Sequence, residues 1–189
     1  MGIHPRACRA VFLDRDGVIN RPVVRGGRPY PPACLEELEV LPGVREALVR
    51  LREAGFRLIV VTNQPDIARG TQRREVVDLM HAHLASQLPI DEFRVCDHDD
   101  GDQCACRKPK PGLLQAAARE GGVNLVASFM VGDRWRDVEA GRRAGCRTVF
   151  IDWEYAERGS ESADLTVRSL PEAVEWILSN REARGHESC

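Results

Sequence analysis

The sequence predicts an α/β fold, built on a parallel β-sheet with helices on both of its faces. Short apolar segments recur along the chain and alternate with segments in which apolar residues have helical spacing. Polar residues lie at or just beyond the ends of three of the apolar segments: Asp14, Thr62 and Asp133. Buried parallel strands are apolar on both faces, and such sheets bind ligands at the carboxyl ends of their strands. The pattern therefore favours a Rossmann-like sheet in which these three polar residues converge.

The first half of the chain contains two predicted strands and one predicted helix. Residues 10–13 and 58–61 are apolar runs that we expect to be buried strands. Between them, residues 44–54 have apolar side chains at helical spacing, and Gly55 follows where glycine commonly ends a helix. Residues 22–42 are rich in proline and glycine, which predicts an irregular loop.

The second half continues the alternation of strands and helices that is typical of βαβ units. Helices are predicted over residues 73–88, 111–120, 137–144 and 171–178, and strands over residues 93–96, 129–131, 148–151 and 165–167. We expect residues 97–106 to form a polar loop and the charged residues 181–189 to fray.

Length and composition indicate one ordinary globular domain over residues 1–189. The chain has 27 basic and 29 acidic residues, a balance that argues against a partner nucleic acid. No apolar stretch approaches the ~18 residues that a membrane span needs, and the N-terminus lacks the apolar core of a signal peptide. We therefore expect a cytoplasmic monomer without a membrane partner.

Two carboxylates follow the first strand, in Asp14-Arg15-Asp16-Gly17. At this spacing in a loop, Asp14 and Asp16 can point into one site, one as a nucleophile and the other as a proton donor to a leaving oxygen. For so short a motif taken alone, a capped turn with solvated aspartates is the commoner outcome.

Further groups follow the later strands and complete a chemical pattern. Thr62 and Asn63 offer a hydroxyl and an amide to phosphate oxygens, Lys108 offers positive charge, and Asp133 offers oxygen ligands to a cation. Hydrolysis of a phosphate monoester needs a nucleophile, a proton donor, positive charge and Mg²⁺ held by oxygen ligands. The joint pattern therefore predicts a phosphatase, although each group alone also fits a solvated loop.

Four segments together resemble the motifs of the haloacid dehalogenase superfamily of phosphatases: Asp14-Arg15-Asp16-Gly17-Val18, Thr62-Asn63, Lys108 and Gly132-Asp133. The resemblance covers about residues 9 to 178. It implies the haloacid dehalogenase fold and a mechanism through an aspartyl-phosphate.

The resemblance also implies a role for each residue of these motifs. Asp14 is the expected nucleophile and Asp16 the expected acid and base, while Thr62 and Lys108 hold the phosphoryl oxygens. Mg²⁺ is expected between the carboxylates of Asp14 and Asp133 and the backbone carbonyl of Asp16, with Asp137 in support.

The seven cysteines are an odd number, which rules out a complete disulfide framework, and three of them cluster near one histidine. Cys96, His98, Cys104 and Cys106 offer three thiolates and one imidazole, a set that suits tetrahedral Zn²⁺. Four protein ligands leave no open coordination position, so such a zinc would be structural. The one-residue spacing within each pair is tighter than the usual two, and a reduced thiol cluster in an acidic loop is the alternative.

The zinc loop, about residues 96–106, adjoins Arg107-Lys108-Pro109 and would brace the segment that carries the lysine. Its ligand pattern resembles the branch of the superfamily that contains heptose bisphosphate and histidinol-phosphate phosphatases. This resemblance implies that Arg107 and Arg134 contact substrate, and we expect Arg69 to join them at a second anionic group.

The expected substrate is a small phosphorylated sugar, namely the 7-phosphate of D-glycero-D-manno-heptose 1,7-bisphosphate in nucleotide-heptose synthesis. Histidinol phosphate is the alternative substrate, and a non-enzymatic zinc-stabilised interaction module is the alternative class. Pro65-Asp66 depart from the Ser-Gly of the branch, and residues 21–32 match it poorly. No cap domain is predicted, so three loops control access: residues 21–32, residues 65–71 and the zinc loop.

Overall fold

The first strand is β1 (Arg9–Leu13), and its last four residues are completely buried. Val11 and Leu13 pack into one hydrophobic cluster, while Ala10 and Phe12 pack into a second cluster. The strand is thus covered on both faces, as its continuous apolar run predicts. The structure, a computed structural model, describes residues 8–157 and 159–181, so the expected fraying of residues 182–189 lies outside the described residues.

Seven further strands are found in the described part of the chain: β2 (Val23–Arg25), β3 (Arg28–Tyr30), β4 (Phe56–Asn63), β5 (Glu92–Cys96), β6 (Phe129–Gly132), β7 (Arg147–Ile151) and β8 (Leu165–Val167). Six of the eight form one sheet of order β5-β4-β1-β6-β7-β8, in which every neighbouring pair is parallel. The predicted parallel sheet is confirmed. Its order reverses at β1, which lies between β4 and β6, and a ligand is expected in the crevice at such a point.

Five α-helices cover the two faces of this sheet in the described residues: α1 (Val44–Glu53), α2 (Arg74–Gln87), α3 (Gly112–Gly121), α4 (Trp135–Ala144) and α5 (Leu170–Ser179). Apolar residues of α1, α2 and α5 belong to the first cluster, and those of α3 belong to the second. Helix α4 packs on β6 and β7 beside α3. The longest of these helices has 14 residues, and none is long and apolar enough to cross a bilayer.

The expected irregular loop over residues 22–42 is wrong for its first part, because β2 and β3 pair there as an antiparallel hairpin. Gly26 and Gly27 form the two-residue turn with φ angles of 57° and 75°. Two positive φ angles in succession give the turn whose twist matches a hairpin, and glycine adopts them without strain. A hairpin, one 3₁₀ turn (Leu35–Glu37) and α1 are all that separate β1 from β4, too little for a cap domain.

Candidate active site

The polar residues predicted at strand ends converge as expected. Asp14 follows β1, Thr62 lies at the end of β4 and Asp133 follows β6, and all three line one cavity of about 400 Å³. The cavity is also lined by the other residues predicted to take part in catalysis or substrate binding: Asp16, Asn63, Arg69, Arg107, Lys108 and Arg134. The three segments expected to control access all contribute to its wall, through Tyr30, Asp66 and Asp100.

Lys108 is buried at the base of this cavity between two carboxylates. Its Nζ lies 2.9 Å from Oδ1 of Asp14 and 2.6 Å from Oδ1 of Asp137, and it donates to the carbonyl oxygen of Val61 at 2.8 Å. Burial opposes the charge, but the two carboxylates outweigh burial and raise the pKa of Lys108. The lysine therefore stays a fixed cation beside Asp14.

Asp14, Asp133 and Asp137 form a compact acidic cluster, in which one oxygen of each lies within 4.8 Å of the others. Burial raises the pKa of Asp14 to about 6, and the charges of Asp137 and Asp16 add to the effect against the opposing pull of Lys108. Burial, and then Asp14 and Asp137, raise the pKa of Asp133 well above its usual range. When all three carboxylates are ionised, they and the ammonium of Lys108 carry a net charge of −2, which one divalent cation would balance.

One oxygen of this cluster has no partner in the described structure. Oδ1 of Asp133 is buried without a hydrogen bond, while Oδ2 accepts from the hydroxyl of Tyr155 at 2.8 Å. An unpaired buried carboxylate oxygen costs free energy unless it binds a donor or a cation. The hard oxygen donors of Asp14 and Asp133 thus fit Mg²⁺.

The backbone conformation and the surroundings of Gly17 explain why the Asp14-Arg15-Asp16-Gly17 motif ends in glycine. Its φ is +86°, and a Cβ atom at this position would lie 1.9 Å from Oδ2 of Asp133. The loop after β1 therefore passes directly against Asp133, and any side chain at Gly17 would displace this carboxylate.

Asp16 accepts four hydrogen bonds and lies apart from the acidic cluster. Its oxygens accept from Nε and Nη2 of Arg15 at 3.1 and 3.0 Å, from Nδ2 of Asn20 at 3.0 Å and from Nε2 of Gln64 at 3.0 Å. Burial opposes ionisation, but Arg15 and the other donors outweigh it and lower the pKa of Asp16. The same Nε2 of Gln64 lies 2.9 Å from the Thr62 hydroxyl, so one amide links Asp16 to Thr62.

The three arginines predicted to bind substrate line the cavity, and each of them pairs with an acidic residue. The partners are Asp99 for Arg69, Asp100 for Arg107 and Glu157 for Arg134, at closest distances of 2.6, 2.7 and 2.6 Å. Arg28 and Arg136 also line the cavity and were not predicted from the sequence. Five arginines thus line the cavity, together with the acidic residues Asp66, Asp100 and Glu157.

A segment after β7 contacts the site at three points and was not predicted from the sequence. Nε1 of Trp153 donates to the carbonyl of Gly17 at 2.8 Å, Tyr155 bonds to Asp133, and Glu157 pairs with Arg134. The available signal was topological, because the carboxyl end of β7 faces the same edge of the sheet as the predicted site.

Cys96, His98, Cys104 and Cys106 come together as the sequence predicts. Sγ of Cys96 lies 3.7 Å from Sγ of Cys104, 3.3 Å from Sγ of Cys106 and 3.7 Å from Nδ1 of His98. In a zinc tetrahedron the bond lengths require separations of about 3.8 Å between sulfurs and about 3.6 Å between sulfur and nitrogen. The four donors thus lie close together and are of the residue types that are compatible with zinc.

This cluster is joined to the segment that carries Lys108. Nη1 of Arg107 donates to the carbonyl of His98 at 3.2 Å, and the backbone N–H of Gly112 donates to the carbonyl of Ala105 at 3.2 Å. A Cβ atom on Gly112 would lie 2.3 Å from that carbonyl oxygen, so the close approach requires glycine. The segments before and after Lys108 are thus both hydrogen-bonded to the loop that carries the cluster.

The fold and the site define a class of enzyme, and sequence comparison agrees with it. The model of the haloacid dehalogenase-like hydrolases matches residues 30–145, more than half of the chain, so the chain belongs to this family. The expectation of an enzyme of the phosphoric monoester hydrolase class, made from the strand-end residues, is thereby confirmed.

The chain is also similar to more specific relatives. It is 35% identical over 190 residues to D-glycero-α-D-manno-heptose-1,7-bisphosphate 7-phosphatase of Mycobacterium tuberculosis, with 93% of each chain covered. It is 38% identical over 146 residues to the β-anomer 7-phosphatase of Pseudomonas aeruginosa, with 75% of this chain and 79% of the relative covered. The structure of D,D-heptose 1,7-bisphosphate phosphatase from B. bronchiseptica, complexed with magnesium and phosphate, matches with a TM-score of 0.78 and 30% identity over 91% of this chain and 99% of that chain.

Proposed function

We propose that this hydrolase removes the 7-phosphate of D-glycero-D-manno-heptose 1,7-bisphosphate through an aspartyl-phosphate on Asp14. The observation that carries the proposal is the buried contact of Lys108 with Asp14, 2.9 Å long, at the base of a cavity lined by arginines. A fixed cation beside a carboxylate suits attack on a phosphoryl group, because it stabilises the negative charge of the transferring group.

In the first step, an Asp14 oxygen forms a bond to phosphorus while the bond from phosphorus to the sugar oxygen breaks. The bonding electrons leave with the sugar oxygen, which takes a proton from Asp16. Lys108 and the Thr62 hydroxyl bind the non-bridging oxygens. Without substrate, Arg15 favours the ionised form of Asp16. The phosphoryl dianion of the substrate carries like charge, and its arrival favours the protonated form of Asp16 that this step needs.

In the second step, water attacks phosphorus and gives its proton to the Asp16 carboxylate. The bond between phosphorus and Asp14 breaks, which frees phosphate and restores the Asp14 carboxylate. The ionised state in which four donors hold Asp16 is the state that this step requires of a base.

We propose that Asp14 and Asp133 hold Mg²⁺ by their carboxylates and Asp16 by its backbone carbonyl. Asp137 supports them by fixing Lys108 and by accepting from the backbone N–H of Arg134 at 3.0 Å. When bound, Mg²⁺ neutralises charge on the transferring phosphoryl group.

The cysteine cluster, in this proposal, binds one structural Zn²⁺ through Cys96, His98, Cys104 and Cys106. Burial raises the pKa of Cys96, whereas at Cys104 hydrogen bonds led by the N–H of Arg107 outweigh burial and lower the pKa. We propose that one domain over residues 1–189 carries the whole site and acts as a monomer. The described cysteines are all unpaired thiols, which suits a reducing compartment such as the cytoplasm.

A bisphosphate substrate is favoured by the charges at the mouth of the cavity. Lys108 lies at the base for the phosphoryl group that reacts, and Arg69, Arg107 and Arg134 lie further out for a second anionic group. The ammonium and imidazole of an amino-alcohol phosphate would leave these arginines without an anionic ligand, so histidinol phosphate is the weaker candidate.

Phosphate release from p-nitrophenyl phosphate with Mg²⁺ tests the enzymatic core of the proposal. We expect Asp14→Asn to abolish turnover, and equal rates for this variant and the wild type would contradict the proposal. A panel then tests the substrate by kcat/KM: both anomers of the heptose bisphosphate, fructose 1,6-bisphosphate and histidinol phosphate. The heptose bisphosphate should exceed the others by at least about tenfold, and the two anomers are compared because relatives are named for each of them.

A further inference from the structure

Arg15 is a fully buried cation whose guanidinium contacts two different residues. Nε and Nη2 donate to the two oxygens of Asp16, and Nη1 lies 3.1 Å from Nε2 of His81. Arg15 exposes 0% of its surface and His81 exposes 6%. A buried arginine keeps its charge, so each of its N–H groups needs an acceptor in the protein.

The hydrogen bond between Arg15 and His81 has only one possible direction. A guanidinium donates and cannot accept, so Nε2 of His81 is the acceptor and the ring is neutral with its proton on Nδ1. The ring of Phe93 stacks on His81 with centroids 4.6 Å apart and an angle of 19° between the planes. Helix α2 and strand β5 thus fix both the position and the plane of the acceptor.

We propose that His81 is a positioning residue, which orients Arg15 so that Nε and Nη2 of the guanidinium hold the Asp16 carboxylate where it transfers protons. The guanidinium is planar, and its donors have a fixed relative geometry. An acceptor at Nη1 therefore determines the direction in which Nε and Nη2 point. This inference rests on the proposed role of Asp16.

Loss of the His81 acceptor has a defined chemical consequence. Nη1 of Arg15 would become a buried donor without a partner, and the guanidinium would turn toward another acceptor. Asp16 would then lose the paired hydrogen bonds that fix both of its oxygens. Proton donation to the leaving group would suffer more than attack by Asp14, because Asp14 is held by Lys108 rather than by Arg15.

The dependence on the leaving group separates this role from a merely structural one. A sugar alkoxide is a poor leaving group and needs a proton from Asp16, whereas p-nitrophenolate leaves without one. The parameter kcat/KM reports the steps up to departure of the alcohol, before water attacks the phosphoenzyme. We therefore expect His81→Leu to lower kcat/KM by at least about tenfold for the sugar phosphate and by less than about threefold for p-nitrophenyl phosphate, since general acid catalysis is worth about 10²–10⁴-fold.

Two variants control this experiment. His81→Gln keeps an acceptor oxygen near the position of Nε2 and should stay within about threefold of wild type on both substrates. His83→Leu is matched to His81→Leu on the same helix, where Nε2 of His83 lies 2.9 Å from Nε2 of Gln87, and it should leave both values unchanged.

Three results would overturn the proposal: equal losses on the two substrates, no loss on either, or no recovery in His81→Gln. If His81→Leu does not fold, Arg15→Lys replaces it, because one ammonium cannot reach both Asp16 and His81 and should give the same leaving-group dependence. Failure of the proposed function is distinguishable, since Asp14→Asn would then remain active. The sugar phosphate used is whichever member of the substrate panel wild type hydrolyses with the highest kcat/KM.

Discussion

The side chain of Asn63 holds the backbone of Lys108 at both of its polar groups. Nδ2 donates to the carbonyl oxygen of Lys108 and Oδ1 accepts from its N–H, each at 3.1 Å. The residue that follows the phosphate-binding threonine is thereby coupled to the lysine of the neighbouring segment, 45 positions away in sequence. Asn63 also lines the cavity. Its contact with substrate remains a prediction.

We expect Asn63→Ala to lower kcat/KM by about 10- to 100-fold, because a displacement of about 1 Å at a catalytic group can have an effect of this size. Both backbone groups of Lys108 would lose their partner, so the free energy of unfolding should fall by about 1–3 kcal/mol. Steady-state kinetics and urea unfolding measure the two effects. Asn180→Ala, which removes a hydrogen bond to Trp176 far from the cavity, should change stability alone, and a fully active Asn63→Ala would contradict the coupling.

Glu157 forms an ion pair with Arg134, and its two carboxylate oxygens lie 2.7 and 2.6 Å from Nη2 of the arginine. If Arg134 binds a second phosphate, Glu157→Gln should lower the KM of a sugar bisphosphate by about two- to fivefold, since exposed ion pairs are worth up to about 1 kcal/mol. The KM of a sugar monophosphate should not change. Initial rates on a bisphosphate and a monophosphate of the same sugar provide the comparison.

The matched control for that prediction is Glu154→Gln. Glu154 lies in the same segment but pairs with Arg168, 2.8 Å away, which does not line the active-site cavity. It should affect neither KM. An equal decrease for the two substrates in Glu157→Gln would mean that Arg134 does not select for the second anionic group.

Sequence reasoning found the parts of the site that are encoded locally and missed those that depend on packing. Asp14, Thr62 and Asp133 were predictable because each follows an apolar strand and topology brings the ends of strands together. His81 was not, because its contact with Arg15 joins positions 66 residues apart through the docking of α2. The contact of Trp153 with Gly17 spans 136 residues and has no local signature. The β2–β3 hairpin does have a local signature, because Gly-Gly is a common turn pair in hairpins, but it was not predicted.

The stability of the protein should depend on pH through His81. Burial, and then the charge of Arg15, lower the pKa of His81 from 6.5 to about 4, against the opposing effects of Asp16 and Asp78. Between these two pH values the unfolded chain binds more protons than the folded chain, so stability is fully present above pH 6.5 and decreases toward pH 4. The loss is of the order of 3 kcal/mol.

Urea unfolding at pH 7 and pH 4.5 with a chelator measures this effect, with His81→Gln as the comparison. Asp14 acts in the opposite direction, because its raised pKa favours the folded state at low pH. Both proteins contain Asp14, however, so the difference between them isolates His81. We expect wild type to lose more stability than His81→Gln on acidification, and parallel losses would contradict the burial of a neutral His81.

The cysteine cluster should contribute stability only when it holds a metal. Cys104→Ser removes one of four donors, and we expect it to reduce zinc from about one equivalent to a small fraction and to lower Tm by about 5–10 °C, which corresponds to 2–3 kcal/mol in a chain of this size. Activity should fall as well, because Arg107 donates to the carbonyl of His98 and so couples the cluster to Lys108. Cys34→Ser is the matched control, since Cys34 is a free thiol outside the cluster and should leave zinc content, Tm and activity unchanged. Elemental analysis and thermal unfolding distinguish the proposed zinc site from a reduced thiol cluster. A reduced thiol cluster is indicated if the purified protein contains no zinc and Cys104→Ser does not change its Tm.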